Sequence, residues 1–243
     1  MNNSIKIAMW SGPRNISTAM MRSFENRPDT TVEDEPFYAH YLSHTGLNHP
    51  MKNEVIESQN TNWNEVANSL TLEIPNNKTV WYQKHMAQHN LENFDLSWTK
   101  NLSNCFLIRD PKEVIYSFVQ KFELKSAEQL GFLQQMELFN LIKNRDNTDP
   151  IVIDSKDILI DPKGVLSKLC NKIGIPFFEE MLNWPTGPRK TDGVWGKHWY
   201  KNVKGSTGFN SYNPKEIELP NKYQSIYKDC LMIYNKLYCH KII

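Results

Sequence analysis

Residues 5–28, IKIAMWSGPRNISTAMMRSFENRP, join an apolar run to a helical pattern through one short turn. The run predicts a strand over Lys6–Trp10, which Gly12-Pro13 brings to an end. Apolar side chains then recur at helical spacing and predict a helix over Ser17–Arg27, with Pro28 just past its end. The two elements stand so close in sequence that the chain must turn tightly between them.

The turn from Arg14 to Thr18 has the composition of an anion site. A strand that turns directly into a helix points unpaired backbone N–H groups and the positive end of the helix dipole at one place. The guanidinium of Arg14 and the hydroxyls of Ser17 and Thr18 add donors suited to phosphate or sulfate oxygens. The turn lacks the second glycine and the Gly-Lys pair of a GxxxxGK[ST] loop, so it is not a Walker A motif. From these residues alone, an ordinary strand–helix turn without a ligand stays open.

Composition narrows the class of protein. The chain has 243 residues, of which 40% are hydrophobic, and a net charge of +1. We therefore expect one domain over residues 1–243, with no nucleic-acid partner and no membrane partner. Neither a signal-peptide pattern nor an apolar run of about 18 residues is present, which favours a cytoplasmic protein. The four cysteines lack CxxC spacing and no HExxH motif occurs, so we expect buried free thiols at Cys105 and Cys170 and no metal.

Predicted strands and helices alternate along the chain. The further predicted strands are Thr30–Val32, Thr79–Lys84, Asn104–Ile108 and Ile151–Asp154. The further predicted helices are Trp63–Leu72, Leu91–Phe94, Lys112–Lys121, Ala127–Asn144, Pro162–Ile173 and Asn221–Leu237. This alternation predicts an α/β fold, a three-layer sandwich with a central, mostly parallel sheet.

Two segments depart from the alternation. Residues 38–75 include a polar, histidine-containing stretch with weak periodicity at 40–59, which we interpret as a lid or acceptor segment; an exposed connection is the alternative. Residues 184–212 carry glycine, lysine and aromatic residues with little periodicity. Because long irregular loops in compact domains are often functional, we expect this segment to cover a cofactor. Aromatic side chains that merely fill the core are the alternative there.

A second strand–turn–helix unit follows at residues 104–118, NCFLIRDPKEVIYSF. Arg109 leaves the end of the strand, and Pro111 suits the first position of the helix. Ser117 lies eight residues after Arg109, on the second turn of the helix. The two side chains therefore approach one anion from two directions, although a helix cap with a local ion pair would give the same Arg-Asp-Pro sequence.

In these segments the chain resembles the sulfotransferases that use 3′-phosphoadenosine-5′-phosphosulfate (PAPS). PRNISTA, residues 13–19, is similar to the family's PKSGTTW-type loop, which grips the 5′-phosphosulfate. FLIRDPKEVIYSF, residues 106–118, is similar to the RxP…S element that holds the 3′-phosphate. VWYQKHMAQHNL, residues 80–91, resembles the strand-end KTH segment, and residues 151–177 resemble the acidic turn and helix that follow it. The segments keep the family's order over about residues 5–178.

The resemblance implies a P-loop-like phosphosulfate-binding loop and roles for single residues. The loop residues implied to bind PAPS are Arg14, Asn15, Ile16, Ser17 and Thr18. Arg14 takes the place of the family's lysine, and Ile16 stands where the family has a glycine. Arg109 and Ser117 correspond to the pair that holds the 3′-phosphate. Arg189 and Lys190, before Gly193, resemble the family's late Arg-Lys-Gly stretch on the same phosphate.

Two residues compete as the base that the reaction needs. His85 follows a predicted strand, and Lys84-His85 stands for KTH with one residue missing. Glu35, in VEDEPFYAHY (residues 32–41), resembles the glutamate of E-P-[FY]-type family members and needs burial to raise its pKa. We favour Glu35 slightly, with His85 and Lys84 orienting the sulfonate or the acceptor, while a solvated acidic turn over residues 33–35 is the alternative.

The function implied is transfer of a sulfuryl group from PAPS, without a metal, to a hydroxyl or amine of a small-molecule acceptor. Arg14 would stabilise charge on the leaving phosphate, with Glu35 or His85 as the base, and PAP is the expected product. Two other functions stay open, namely a small-molecule kinase of similar topology and a non-catalytic PAP-binding protein. The sequence names no acceptor and leaves a homodimer open.

Overall fold

A computed structural model describes residues 4–91 and 95–242 of the chain. Five parallel strands form one sheet in the order β2-β3-β1-β4-β5. All five predicted strands are confirmed, and most are longer by one or two residues than predicted. Their bounds are β1 Ile5–Ser11, β2 Thr30–Asp34, β3 Val80–Met86, β4 Ser103–Ile108 and β5 Ile151–Asp154.

Helices connect the strands and cover both faces of the sheet, which confirms the α/β fold. Their bounds are α1 Ser17–Glu25, α2 Tyr38–Thr45, α3 Lys52–Ser58, α4 Trp63–Ser69, α5 Pro111–Phe118, α6 Phe132–Asp146, α7 Ser155–Ile160, α8 Pro162–Ile173, α9 Gly196–Trp199, α10 Lys201–Lys204 and α11 Gln224–Tyr238. The sequence did not predict α2, α3, α7, α9 or α10. The helix predicted at Leu91–Phe94 falls largely on residues 92–94, outside the described residues.

Alternate residues of β1 point into two cores. Ile7 and Met9 face a cluster to which α1 and α8 contribute. Ala8 and Trp10 face the other cluster, which is built with α4 and α6. Because β1 is central and the sheet is parallel, the carboxyl ends of β1, β2, β3 and β4 meet at one edge. The loops that leave this edge are therefore the natural place for a site.

The helix predicted over Ala127–Asn144 is divided at Gly131. A 3₁₀ turn over Ala127–Leu130 precedes α6, and Gly131 between them has a φ of 72°. A Cβ on Gly131 would lie 3.3 Å from the Cα of Gly12. The break therefore lets this connection pass against the loop that follows β1.

The two irregular segments contain short helices. Residues 38–75 hold α2, α3 and α4, and residues 184–212 hold α9 and α10. Cys105, in β4, and Cys170, in α8, are buried free thiols, as predicted. Among the described residues, no helix combines the length and the apolar character that crossing a membrane requires.

Candidate functional site

The loop between β1 and α1 turns through two left-handed residues. Arg14 has a φ of 65°, and Ile16, the N-cap residue of α1, has a φ of 54° and a ψ of 15°. Ser17 and Thr18 are the first two residues of α1. Asn15 fixes the loop because its Nδ2 donates to the carbonyl oxygen of Leu107 at 3.2 Å. Ile16 thus adopts the conformation for which a glycine is usually required.

The β4–α5 turn carries the second cationic group. Asp110 caps α5 by accepting a hydrogen bond from the N–H of Lys112 at 2.7 Å, and Pro111 occupies the first turn. Arg109 donates to the carbonyl oxygen of Arg14 at 2.7 Å and forms an ion pair with Glu113 at 2.8 Å. The Arg-Asp-Pro sequence therefore makes both a helix cap and a link to the first loop.

The two loops bring Arg14, Arg109 and Ser117 together. Nε of Arg14 donates to Oγ of Ser117 at 2.9 Å. Burial lowers the pKa of Arg14, and the neighbouring guanidinium of Arg109 lowers it further. Among the described residues, no carboxylate lies within 4 Å of the Arg14 guanidinium. Two adjacent guanidiniums beside a helix N-terminus, one of them paired with Glu113, form a basic patch suited to a polyanion.

A buried ionic cluster lies at the ends of β2 and β3. Nζ of Lys84 donates to Oδ1 of Asp34 at 2.8 Å and to Oε1 of Glu35 at 2.7 Å. The register of the sheet pairs Asp34 with Lys84, so the two side chains leave neighbouring strands at one level. The side chain of Glu35 is 12% exposed and that of Asp34 only 2%. The solvated acidic turn considered for residues 33–35 is therefore wrong for Asp34.

The segment after residue 184 closes over this cluster. Tyr200 donates its hydroxyl to Asp34 at 2.7 Å and accepts a hydrogen bond from Nζ of Lys84 at 2.7 Å. Nε1 of Trp195 donates to the same hydroxyl at 3.0 Å, and the N–H of Gly193 donates to Asp34 at 3.0 Å. Part of the segment is thus anchored on the strand ends.

The charges of the cluster shift each other's pKa values. Burial raises the pKa of Glu35, the Lys84 ammonium opposes this, and the Asp34 carboxylate adds to it. Burial alone would lower the pKa of Lys84, but Asp34 and Glu35 more than offset it and hold the pKa well above its usual range. Lys84 therefore stays charged, and Glu35 binds a proton more readily than a solvated glutamate.

His85 points to the opposite face of the sheet from Lys84. Its ring stacks on Trp10 with a centroid distance of 4.4 Å, and its Nε2 lies 3.2 Å from Oε1 of Gln83. The residue is 1% exposed, and burial lowers its pKa to about 3. His85 is thus a neutral imidazole within an aromatic core in this structure.

Tyr38 lies near Glu35 and packs against the rings of His49 and His89. Tyr38 packs edge-on against Trp195, and its hydroxyl lies 2.9 Å from Nδ1 of His49. His89 stacks on Tyr38 with a centroid distance of 4.8 Å, and burial holds its pKa well below the usual range. His40 is buried, with its Nδ1 2.8 Å from the carbonyl oxygen of Thr61.

The structure does not bring Arg189 to the Arg109 pair. Nε of Arg189 lies 3.7 Å from a carboxylate oxygen of Glu25, at the last residue of α1. The Arg14 loop is at the other end of that helix, about 12 Å away at 1.5 Å per residue. In this conformation Arg189 therefore lies away from the Arg14 loop, and the assignment of Arg189 and Lys190 to the 3′-phosphate stays a prediction.

Sequence reasoning missed Asp34 and Tyr200. The predicted strand ends at Val32, and only the longer β2 of the structure brings Asp34 level with Lys84 at the end of β3. Tyr200 lies in a segment without periodicity, and no sequence signal links it to β2. Among the residues that the structure describes, no group of three or more His, Cys, Asp or Glu side chains is arranged to hold a metal ion.

Two strand–loop–helix turns that converge at the carboxyl edge of a parallel sheet define an α/β protein with a basic patch at that edge. A sequence profile described as "Sulfotransferase domain" matches residues 5–238. The chain belongs to this family of sulfotransferase domains. This confirms the sulfotransferase resemblance found in the sequence.

Two curated proteins of Arabidopsis thaliana are similar in sequence to this chain. The "Branched-chain-amino-acid aminotransferase-like protein 2" is 32% identical over 234 residues, which cover 96% of this chain and 41% of that protein. Its counterpart "protein 1" is 34% identical over 234 residues, covering 96% of this chain and 42% of that protein. The chain thus spans about two fifths of the length of these relatives.

Solved structures share the fold. The sulfotransferase domain of the Synechococcus PCC 7002 olefin synthase has a TM-score of 0.59 and 18% identity, with 96% of this chain and 95% of that chain covered. The sulfotransferase domain from the curacin biosynthetic pathway has a TM-score of 0.56 and 18% identity, with 94% and 96% covered. At this identity the likeness establishes the fold alone.

Proposed function

We propose that the chain transfers a sulfuryl group from PAPS to a hydroxyl or amine of a small-molecule acceptor. One observation carries this proposal beyond the family assignment. The basic patch formed by Arg14, Arg109 and Ser117 lies at the same sheet edge as a largely buried carboxylate, Glu35, whose pKa is raised. A polyanion site and a candidate base at one edge are what sulfuryl transfer requires.

The basic patch suits a donor with phosphates at two positions. Arg109 and Ser117 lie on the α5 side of the patch, where we assign the 3′-phosphate. The N-terminus of α1, with Arg14, Ser17 and Thr18, is assigned to the 5′-phosphosulfate. The fit is supported by Arg14, a half-buried cation with no carboxylate partner among the described residues, because a bound anion would supply the missing charge.

PAPS supplies a sulfuryl group, so that a bond forms between sulfur and the acceptor oxygen while the bond from sulfur to the 5′-phosphate breaks and leaves its electron pair on PAP. Arg14 stabilises the negative charge that develops on that phosphate. A planar guanidinium binds two oxygens and does not give up its proton, so Arg14 acts by charge and not as an acid. Asn15 and Ile16 hold the loop in place around it.

Glu35 takes the proton of the acceptor hydroxyl in this proposal. Its carboxylate is partly exposed, whereas His85 is enclosed by the aromatic core and neutral with a pKa of about 3. A base acts best when its pKa approaches the working pH, and burial moves Glu35 in that direction. We assign His85 to the support of the strand end and keep it as the alternative base.

Tyr38, His49 and His89 line the Glu35 side of the edge with neutral aromatic rings. We assign this side, with residues 38–75, to the acceptor, and assign residues 184–212 to a cover over the site. Together they would complete a single domain over 1–243. The buried free thiols and the near-neutral charge support a cytoplasmic location without nucleic-acid or membrane partners.

Binding of PAP tests the proposal against a kinase. Without Mg²⁺, PAP should bind at least tenfold more tightly than ADP, because one charge-assisted contact to the 3′-phosphate contributes about 1.5–3 kcal/mol. Calorimetry with wild-type protein and Arg109→Gln measures this, and the variant should lose the preference for PAP. Equal affinities for ADP and PAP, or binding of nucleotide only with Mg²⁺, would exclude the proposed donor. Tight PAP binding without transfer to any acceptor would favour a non-catalytic binding protein.

A further inference from the structure

The Lys84 ammonium serves two carboxylates at once. It is 1% exposed and donates to Asp34 at 2.8 Å and to Glu35 at 2.7 Å. The three ionised groups carry a net charge of −1. An ammonium at this depth is stable only while a carboxylate is paired with it.

The surroundings of the two carboxylates differ. Asp34 accepts further hydrogen bonds from the hydroxyl of Tyr200 and from the N–H of Gly193, so both of its oxygens are occupied. The side chain of Glu35 receives its hydrogen bond from Lys84, and its Oε2 has no partner within the described parts of the chain. Asp34 is therefore fixed in place, while Glu35 keeps one oxygen for another molecule.

We propose that Asp34 is a positioning residue for the base: it holds Lys84 as a permanent counter-ion, so that Glu35 can accept the acceptor's proton without leaving a buried cation unpaired. The inference rests on Glu35 being the base in the proposed function. The proton passes from the acceptor hydroxyl to Oε2 of Glu35, and the electron pair of the O–H bond stays on the acceptor oxygen, which attacks sulfur. Glu35 then releases the proton to solvent.

Charge balance is what makes Asp34 necessary. When Glu35 takes up a proton, the net charge of the cluster goes from −1 to zero, and the Lys84–Asp34 pair remains intact. Without the charge of Asp34, the same step would leave Lys84 as an unpaired buried ammonium. Asp34 thus favours proton uptake by Glu35 both by its own negative charge and by keeping Lys84 paired.

The groups that face Glu35 come from four elements. They are Asp34 of β2, Lys84 of β3, Tyr38 of α2 and Tyr200 of the segment that carries α9 and α10. Burial raises the pKa of both tyrosines, and the nearby carboxylates raise it further, so both stay neutral over the working range. Among these groups, Asp34 supplies the anionic charge that acts on Glu35.

Carboxyl titration by NMR tests the inference without any transfer reaction. Protein labelled with ¹³C in its glutamate and aspartate carboxyls is titrated, and Glu35→Gln assigns the Glu35 resonance. In Asp34→Asn, the titration midpoint of Glu35 should fall by about one to two pH units, because two carboxylates that contact the same ammonium, at 2.8 and 2.7 Å, are close enough to interact this strongly at the edge of a protein. Tyr200→Phe is the matched control, since it removes hydrogen bonds from the same network but no charge, and it should move the midpoint by less than about half a unit.

Three outcomes would overturn the inference. These are an unmoved Glu35 midpoint in Asp34→Asn, an equal shift in Tyr200→Phe, and proton uptake by Asp34 before Glu35 in the wild-type protein. The wild-type titration stands even if Asp34→Asn fails to fold. Once an acceptor is known, the acid limb of the pH profile of kcat/KM should move to lower pH in Asp34→Asn, together with the NMR midpoint of Glu35. Absence of transfer would contradict the proposed function and leave the titration result intact.

Discussion

Three side-chain-bearing residues of the candidate site have left-handed backbone conformations. Arg14 has a φ of 65°, Ile16 of 54° and Glu35 of 46°. Each such residue costs about 1–2 kcal/mol relative to a right-handed one, so surrounding contacts must hold it. Arg109 binds the carbonyl oxygen of Arg14, and the N–H of Glu35 donates to the carbonyl oxygen of Lys84 at 3.0 Å. The loop after β1 is therefore tight although Ile16 replaces a glycine.

Arg14 gives the first residue-scale prediction. Arg14→Ala should lower kcat by about 10²–10³-fold and weaken PAP binding much less, because PAP lacks the sulfonate beside which charge develops. Arg14→Lys, which keeps a positive charge, should recover part of the loss. Steady-state kinetics and calorimetry on the same samples separate the two effects. Since Nε of Arg14 contacts Ser117, a defect confined to PAP affinity would instead assign Arg14 to the 3′-phosphate.

The buried imidazole of His85 gives a prediction on stability. Burial lowers the pKa of His85 from 6.5 to about 3 in the folded protein. Between pH 3 and pH 6.5, the imidazole therefore binds a proton in the unfolded chain but not in the folded protein. Its contribution to stability is complete above pH 6.5 and is lost as pH falls towards 3, by about 2 kcal/mol between pH 7 and pH 5.

Urea unfolding of wild-type protein and His85→Gln at both pH values measures this loss. The difference in unfolding free energy between the two proteins should shrink by about 2 kcal/mol at pH 5. If the difference in unfolding free energy were the same at pH 7 and pH 5, His85 would bind a proton at pH 5 as readily in the folded protein as in the unfolded chain. That result would return His85 to the candidates for a charged role.

At the scale of the elements, Gly12 lets the β1–α1 loop touch the connection before α6. A Cβ on Gly12 would lie 2.4 Å from the carbonyl oxygen of Leu130. Gly12→Ala should therefore destabilise the fold by about 1–3 kcal/mol, since the backbone must shift to make room. The midpoint of urea unfolding reports the loss. Gly205→Ala is the control, because its nearest contact is an ordinary 3.7 Å and its midpoint should change little. Equal midpoints for both variants would contradict the close packing.

Hydrophobic periodicity was enough to predict the sheet and the longer helices such as α1 and α8, but not every connection between them. Each strand is a short run of mostly buried residues, and the hydrophobic pattern that reveals it lies within the run itself. The break at Gly131 was missed because apolar spacing continues on both sides of it, and the need for a break comes from Gly12, far away in the sequence. In α2, tertiary packing of Tyr38 and Leu42 stabilises a helix that its local sequence does not indicate.

The sequence indicates the location of the candidate site as far as it depends on strand ends. Arg14, Glu35, Lys84 and Arg109 each follow or end a predicted strand, and the structure places them at one edge of the sheet, while their roles stay predictions. The sequence did not predict on which face of the sheet each side chain lies. Lys84 and His85 are neighbours in the sequence, but their side chains lie on opposite faces. The position of Arg189 beside Glu25 was not predicted, because this carboxylate is distant in sequence and adjacent only in the fold.

For the whole molecule, the parallel sheet collects two different environments at one edge. The β1–α1 and β4–α5 loops form a basic patch around Arg14 and Arg109, whereas β2 and β3 end in a cluster with a net negative charge. Residues 184–212 reach from Glu25, at the far end of α1, to Asp34 of the cluster. In the proposed reaction the donor binds on the basic side, and its sulfonate meets the acceptor where the two environments adjoin.

Transfer of label from PAPS marked in its sulfuryl group is the most direct test of this account. Wild-type protein and Glu35→Gln are incubated with a panel of phenols, alkyl alcohols, sugars and amines, and PAP affinity is measured in parallel. We predict labelled product with the wild-type protein, and a rate lower by about 10²–10⁴-fold in Glu35→Gln with unchanged PAP affinity, because the amide keeps the shape of the side chain and cannot accept the proton. Transfer at the wild-type rate by Glu35→Gln, together with its loss in His85→Gln, would contradict the assignment of the base, and no labelled product from any acceptor would contradict the proposed activity.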